Sequence, residues 1–153
     1  MVVMKPIVLY SSKSGNTRKI ADEIASELSC ESLKITQDAS SSLIDLNNYN
    51  LIFLGTGIRF GNPNEDLVSY LKKVDLKNSL LFAVFVTWGG AGQTDKAVFA
   101  KLKNMLEAKN QRVMDDYFKC YGGRKFSLLR TGHPNSEDAQ AAKKWARTLA
   151  NNI

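Results

Sequence analysis

Three apolar runs, each ending in a glycine-containing polar loop and followed by residues with helical spacing, limit what this chain can fold into. The runs occupy residues 6–10, 50–54 and 80–86. Residues 80–86 show no polar alternation, which is typical of a central parallel strand covered on both faces. Strands that alternate with helices form a parallel sheet, because right-handed crossovers place each helix on one face or the other. The pattern therefore predicts an α/β fold with a doubly wound sheet.

Two weaker segments complete the predicted sheet. Residues 31–35 form a second strand, with at most one helical turn after it, and residues 112–120 form the last strand. Apolar side chains recur at helical spacing after the first, third, fourth and last strands, and the final helix opens near Ser136 with an acidic first turn. We expect five strand–helix units in a single domain over residues 1–153.

Length and composition predict a protein that folds without a metal or a disulfide. A chain of 153 residues buries about two-thirds of its unfolded surface, and 44% hydrophobic with 24% charged residues is ordinary for a globular domain. Cys30 and Cys120 stand far apart and His133 is the one histidine, so zinc and iron–sulfur sites lack ligands. We expect His133 to lie in a surface loop and Cys120 to be a buried, inert thiol.

The charge and the termini indicate location and partners. The sequence shows neither a secretory signal nor a membrane-spanning run, which predicts a cytoplasmic protein with reduced thiols. The net charge of +6 comes from scattered lysines and arginines, so we expect no nucleic acid partner. Arg124, Lys125 and Arg130 could form a docking patch for an acidic partner, or a solvated connector.

A polar loop between the first strand and its helix offers the groups that hold a phosphate. The loop consists of Ser12, Lys13, Ser14, Gly15, Asn16 and Thr17. Hydroxyls, a glycine for the turn and the N–H groups of a helix start suit a dianion, and the position after strand one favours this interpretation over an ordinary capped turn. Two known nucleotide motifs are excluded, since the P-loop is absent and Phe60 stands at the last glycine of the pattern that begins at Gly55.

This loop resembles the phosphate loop of the flavodoxins, whose pattern is Ser/Thr-x-Ser/Thr-Gly-Asn-Thr. The resemblance extends to residues 48–50, 55–57 and 133–138. It implies a flavodoxin-like, doubly wound, five-stranded parallel sheet in the order 2-1-3-4-5, with helices on both faces. It also implies an FMN cofactor bound at the carboxyl ends of the strands, where strand order reverses.

Two further loops match those that hold the flavin ring in this family. Thr56, Gly57, Ile58, Arg59, Phe60 and Gly61 follow the third strand, and Thr87, Trp88, Gly89, Gly90, Ala91 and Gly92 follow the fourth. Phe60 and Trp88 are the candidates to stack on the ring, although an aromatic residue at a strand end also packs in cores and rims. Gly57, Gly89 and Gly90 would let the backbone approach the ring closely and flip a peptide beside it.

The charge near these loops departs from the acidic character common in flavodoxins. Lys13 lies in the phosphate loop and Arg59 in the first ring loop. Two-electron reduction leaves the flavin anionic, so nearby cations should stabilise its reduced form and raise its potential. The alternative is that the head of Arg59 stays hydrated in solvent.

The resemblance implies an electron carrier that exchanges electrons with redox proteins as a monomer or weak dimer. An enzyme is the alternative, because residues 58–61 are similar to a segment of flavodoxin-like quinone reductases and protoporphyrinogen-oxidising enzymes. A substrate pocket needs longer loops or a dimer wall, and residues 122–135 are the spare material for one. A phosphorylated receiver is disfavoured, because Ser11, Ser12, Gly55 and Thr56 stand where that class needs carboxylates for Mg²⁺.

Overall fold

Alternating strands and helices run through the whole described chain. A computed structural model describes residues 3–36, 44–123 and 132–153. The docking patch considered at Arg124, Lys125 and Arg130 lies outside these residues. In chain order the elements are β1 (Pro6–Ser11), α1 (Asn16–Leu28), β2 (Ser32–Lys34), a 3₁₀ turn (Leu46–Asn48), β3 (Leu51–Arg59), β4 (Asn62–Pro63), α2 (Glu65–Lys73), β5 (Leu81–Trp88), α3 (Thr94–Glu107), β6 (Arg112–Val113), β7 (Phe118–Tyr121) and α4 (Ser136–Asn151).

The sheet has the predicted order. Strands β2, β1, β3 and β5 lie side by side and all pair in parallel. Both β6 and β7 pair with β5 in parallel, at its start and its end respectively, so together they occupy the fifth position. The predicted last strand, residues 112–120, is therefore interrupted, and the exposed residues Asp115 and Asp116 lie in the interruption.

The third strand is longer than the sequence predicted. We expected it to end at Leu54, but β3 continues to Arg59 and then turns back through Phe60 and Gly61 into the short antiparallel strand β4. Gly55 belongs inside the strand, because a Cβ at that position would lie 2.1 Å from the ring of Phe85 on β5. The prediction that Thr56 to Arg59 form a loop is wrong, because β3 keeps its pairing with β5 as far as Gly57 and then pairs with β4.

The helices cover both faces of the sheet, as predicted. Helices α2 and α3 pack with one set of strand side chains, among them Ile52 and Leu54, whereas α1 and α4 pack with the alternate set, among them Leu51 and Phe53. These four strand residues are fully buried. The sheet is therefore the centre of a three-layer structure, and the segments that follow β1, β3 and β5 lie together at its carboxyl edge. Within the described ranges, no helix combines the length and apolar character needed to cross a membrane.

Candidate functional site

The loop after β1 is shaped by its own glycine. Ser12 Oγ accepts a hydrogen bond from the Gly15 N–H at 3.0 Å, and Gly15 has a positive φ of 89°. Gly15 is also the N-cap of α1, and no side chain caps the helix there. The first N–H groups of a helix have no partner within the helix, so this end presents donors and a partial positive charge to the loop. Lys13 and Ser14 are exposed beside it.

Asn16 ties this loop to the chain that follows β7. Its side-chain amide donates to the carbonyl of Gly123 at 2.9 Å. A Cβ at Gly122 would lie 2.7 Å from the same amide nitrogen, so glycine leaves room for the contact. The family pattern suggested Asn16 as a cofactor-binding residue. In the structure its side-chain amide links the loop after β1 to the segment that follows β7.

The three predicted loops meet at Thr17. Its hydroxyl lies 2.8 Å from that of Thr87 at the end of β5, and both residues are buried. A Cβ on Gly57 would lie 3.6 Å from Thr17 Oγ1, so β3 also reaches this point. The sequence therefore predicted correctly that the ends of β1, β3 and β5 lie together.

Asn64 joins β1 to β3 beneath the loops. Its backbone N–H donates to Thr56 Oγ1 at 3.0 Å, and its side-chain amide donates to the carbonyl of Ser11 at 3.0 Å. Asn64 is the N-cap of α2, but its side chain makes no capping bond to the helix. The hydroxyl of Ser11 is buried and has no hydrogen-bond partner within the described ranges. One orphaned polar atom thus lies at the entrance to the loop.

The tip of the β3–β4 hairpin carries a cation and an exposed ring. Phe60 is 90% exposed and has a positive φ of 51°, unusual for a bulky residue. The Arg59 guanidinium lies 5.7 Å from the centroid of that ring. Arg59 is exposed, and neither it nor Lys13 forms an ion pair among the described residues. Ile58 instead packs at the edge of the core.

A cleft of about 260 Å³ separates this hairpin from the first loop. Lys13, Arg59 and Phe60 line it, together with Asn62 to Glu65. Three residues that the sequence assigned to two different loops thus share one cleft, with two cations and one carboxylate around it.

Trp88 at the end of β5 is part of an aromatic cluster. Its ring stacks on Tyr121 of β7, with centroids 6.2 Å apart and planes inclined by 19°. The Lys119 ammonium lies 5.2 Å from the centroid of the Trp88 ring. Trp88 is half-buried. The sequence predicted Trp88 here but missed Tyr121 and Lys119, because only the parallel register of β5 and β7 reveals that Tyr121 lies opposite Trp88.

His133 extends the cluster. It lies in a loop, as expected, and is half-buried. Its ring meets Tyr121 edge-on with centroids 5.7 Å apart, and its Nδ1 lies 2.7 Å from Asp138 Oδ2. Asp138 also accepts the backbone N–H of Asn135 in a capping box that starts α4. The capping motif positions Asp138, and Asp138 positions the histidine at the edge of the site.

The loop after Trp88 has glycines where the backbone needs them. Gly90 and Gly92 both have positive φ values, 86° and 58°, whereas Gly89 does not. Gly89 and Gly90 are half-buried and Gly92 is exposed.

Cys120 lies on the opposite face of β7 from Lys119 and Tyr121. It is buried as expected, and burial raises the pKa of its thiol to about 12.

Residues 7–127 match a family model described as a flavodoxin domain. The chain belongs to the flavodoxin family. Its sheet resembles that of oxidised Flavodoxin 1 from Bacillus cereus, with a TM-score of 0.74 at 21% identity over 97% of this chain and 99% of that one.

A second solved structure, the flavoprotein from Lactobacillus acidophilus in complex with FMN, has a TM-score of 0.59 at 24% identity over 78% of this chain and 93% of that one. At these identities the two structures show the flavodoxin fold alone.

Three curated relatives share part or all of this flavodoxin domain. An uncharacterized protein of Methanocaldococcus jannaschii is 32% identical over 97% of this chain and 100% of its own length. The flavodoxin-like domain-containing protein BilS of Clostridioides difficile is 31% identical over 78% of this chain and 66% of BilS. Protoporphyrinogen IX dehydrogenase (quinone) of Escherichia coli is 32% identical over 46% of this chain, but the match spans only 40% of that enzyme.

Proposed function

We propose that this protein binds FMN at the carboxyl edge of its sheet and shuttles electrons between redox proteins. The observation that carries the proposal is the start of α1, where glycine is the N-cap and no side chain occupies the capping position. A phosphate dianion needs several converging donors, and a helix N-terminus supplies them with about half a positive charge. The family membership and the position of the loop at the sheet edge support the same reading.

The residues present fit this cofactor. Ser11 contributes an orphaned buried hydroxyl next to the loop, and Lys13 an ammonium without a carboxylate partner within the described ranges. The stacked rings of Trp88 and Tyr121 offer flat apolar surface of the kind that a flavin ring packs on. When bound, FMN would supply the capacity to accept and release electrons. The chain's own residues would grip its phosphate, orient its ring and limit the access of water.

A comparison of FMN with riboflavin, which lacks the phosphate, tests this assignment. The apoprotein should bind FMN roughly 100-fold more tightly than riboflavin, because several charge-assisted hydrogen bonds depend on the phosphate. Ser14→Asp adds a negative charge in the loop and should weaken FMN binding roughly tenfold while leaving riboflavin binding unchanged. Ser79→Asp, an exposed position before β5 at the opposite end of the sheet, is the matched control. Equal affinity of the wild type for both flavins would reject the phosphate site.

Enzymatic use of the bound flavin is the second candidate. The match to part of protoporphyrinogen IX dehydrogenase (quinone) and the cleft of about 260 Å³ beside Arg59 and Phe60 favour it. A carrier should exchange electrons with redox proteins and show no saturable turnover of a soluble quinone. Saturable quinone reduction by NAD(P)H, lost in Phe60→Ala, would instead assign the enzyme.

The partners of such a carrier would present an acidic docking surface. The net charge of +6 supports this, since a positive surface attracts an acidic one. Lys13 and Arg59, which form no ion pair with any described residue, line one cleft with the exposed Phe60, and aromatic and arginine side chains often anchor interfaces. The rate of electron exchange should then fall as ionic strength rises.

We further propose a cytoplasmic protein that works as one domain, as a monomer or weak dimer. The free thiols of Cys30 and Cys120 are consistent with a reducing compartment.

A further inference from the structure

Lys119 contacts residues on either side of the glycine-rich loop at residues 89–93, namely Trp88 before it and Asp95 after it. At the start of the loop its ammonium lies 5.2 Å from the Trp88 ring centroid. At the end of the loop the same ammonium donates to Asp95 Oδ2 at 2.9 Å, in the first turn of α3. One side chain on β7 therefore bridges the two anchor points of a loop whose own glycines give it conformational freedom.

Asp95 is built to hold that ammonium. Its side chain is 2% exposed, while that of Lys119 is 47% exposed. Burial alone would raise the pKa of the Asp95 carboxyl, but the hydrogen bonds from Lys119 and Tyr117 outweigh burial and hold the pKa below its usual value. A buried carboxylate that keeps its charge fixes the position of its cation, because separating the pair would leave that charge unsatisfied.

Tyr117 fixes the carboxylate from a second side. Its hydroxyl donates to Asp95 Oδ2 at 2.7 Å, and its ring stacks on Phe99 of α3 with centroids 4.5 Å apart. The loop end, helix α3 and the last strand are thereby joined at a single oxygen atom. A lysine on α3, Lys103, also forms an ion pair at 2.9 Å, but its partner Asp115 is exposed, and no aromatic ring lies near the Lys103 ammonium among the described contacts.

We infer that Lys119 is a positioning residue for the cofactor ring, which it serves by pinning the glycine-rich loop between Trp88 and Asp95. This inference rests on the proposed FMN function. It concerns the ring alone, since the described hydrogen bond, ion pair and ring contact of Lys119 involve Asp95 and Trp88 and not the loop of residues 12–17. A change at Lys119 should therefore weaken FMN and riboflavin equally, whereas a change in the phosphate loop weakens FMN only.

The test measures flavin binding to the apoprotein by quenching of flavin fluorescence. Lys119→Met should weaken FMN and riboflavin by the same factor, roughly tenfold, and Lys119→Arg should restore most of the affinity because arginine can keep both contacts. Lys103→Met, which breaks the exposed ion pair, should bind both flavins as the wild type does. The double variant Asp95→Asn/Lys119→Met removes both charges, so it avoids a lone buried carboxylate and should show the same loss if Lys119→Met fails to fold.

The outcomes separate the two hypotheses. Wild-type affinity for riboflavin in Lys119→Met, or in the double variant, would overturn the positioning role and leave FMN binding intact. Loss of FMN affinity alone, with riboflavin unchanged, would also overturn it, because the effect would then act through the phosphate. No flavin binding by the wild type would overturn the proposed function and this inference with it.

Discussion

Arg59 and Lys13 give the candidate site its positive charge. Both are exposed, both line the cleft beside the hairpin, and neither has an acidic partner in the part of the chain that the structure describes. Glu65 contributes one negative charge to the same cleft. A cation that no carboxylate neutralises retains its effect on a nearby anion, so Lys13 and Arg59 should both stabilise negative charge on a flavin bound beside them.

Removal of the Arg59 guanidinium should lower the midpoint potential of the bound flavin. Arg59→Ala is expected to shift the potential downward on the order of tens of millivolts, because the reduced, anionic ring loses a stabilising charge. Potentiometric titration measures the shift, with Lys101→Ala, an exposed cation on α3, as the control. An unchanged potential in Arg59→Ala would mean that the guanidinium stays hydrated and acts on nothing.

At the scale of whole elements, the pairing of β3 with β5 depends on one missing side chain. Gly55 faces Phe85, and a Cβ there would lie 2.1 Å from the ring, whereas the nearest atom to a Cβ on Gly57 would be 3.6 Å away. Gly55→Ala should therefore lower the free energy of unfolding by about 1–3 kcal/mol through overpacking. Gly57→Ala, two residues along the same strand, should change it by less than about 1 kcal/mol.

Urea unfolding followed by circular dichroism measures both variants. Equal destabilisation by the two substitutions would show that strand propensity, rather than contact with Phe85, sets the cost.

The same strand shows where sequence reasoning works and where it stops. Apolar runs and helical spacing predicted the parallel sheet and both helical layers, because burial on two faces leaves a pattern along the chain. The order of the strands was implied by the family resemblance. A glycine in a sequence indicates either a turn or a place where another side chain packs closely on the backbone. At Gly55 only the position of Phe85 on another strand decides between the two. The prediction of a loop failed there for that reason.

The site divides in the same way. Thr17, Thr87 and Trp88 could be predicted, because each directly follows or ends an element that the pattern locates. Tyr121 and Lys119 could not, because they contact Trp88 through the register between β5 and β7. The contacts of His133 could not be predicted either, because its partner Asp138 is also a capping residue and the local sequence shows only the cap.

For the molecule as a whole, the buried thiol of Cys120 makes the free energy of unfolding depend on pH in the alkaline range. Burial raises the pKa of Cys120 from 9.0 to about 12, so the unfolded chain loses this proton before the folded chain does. The contribution is complete below about pH 9 and is lost as pH rises toward 12. Between these pH values the free energy of unfolding should fall by up to about 1.4 kcal/mol for each pH unit because of this thiol.

Denaturant unfolding of Cys120→Ala between pH 8 and about pH 11 checks this sign. The variant should show a shallower loss of stability than the wild type as pH rises. Cys30→Ala is the comparison, since Cys30 is half-buried and its pKa rises only to about 11, mainly through burial. Parallel pH profiles for the wild type and Cys120→Ala would show that the thiol does not ionise differently in the two states.

The visible spectrum of the protein tests the binding of FMN most directly. Apoprotein titrated with FMN should take up one molecule per chain, with a flavin absorption spectrum that differs from that of free FMN and flavin fluorescence that is quenched beside Trp88 and Tyr121. The absorption of free FMN at every ratio, with full fluorescence, would contradict the account.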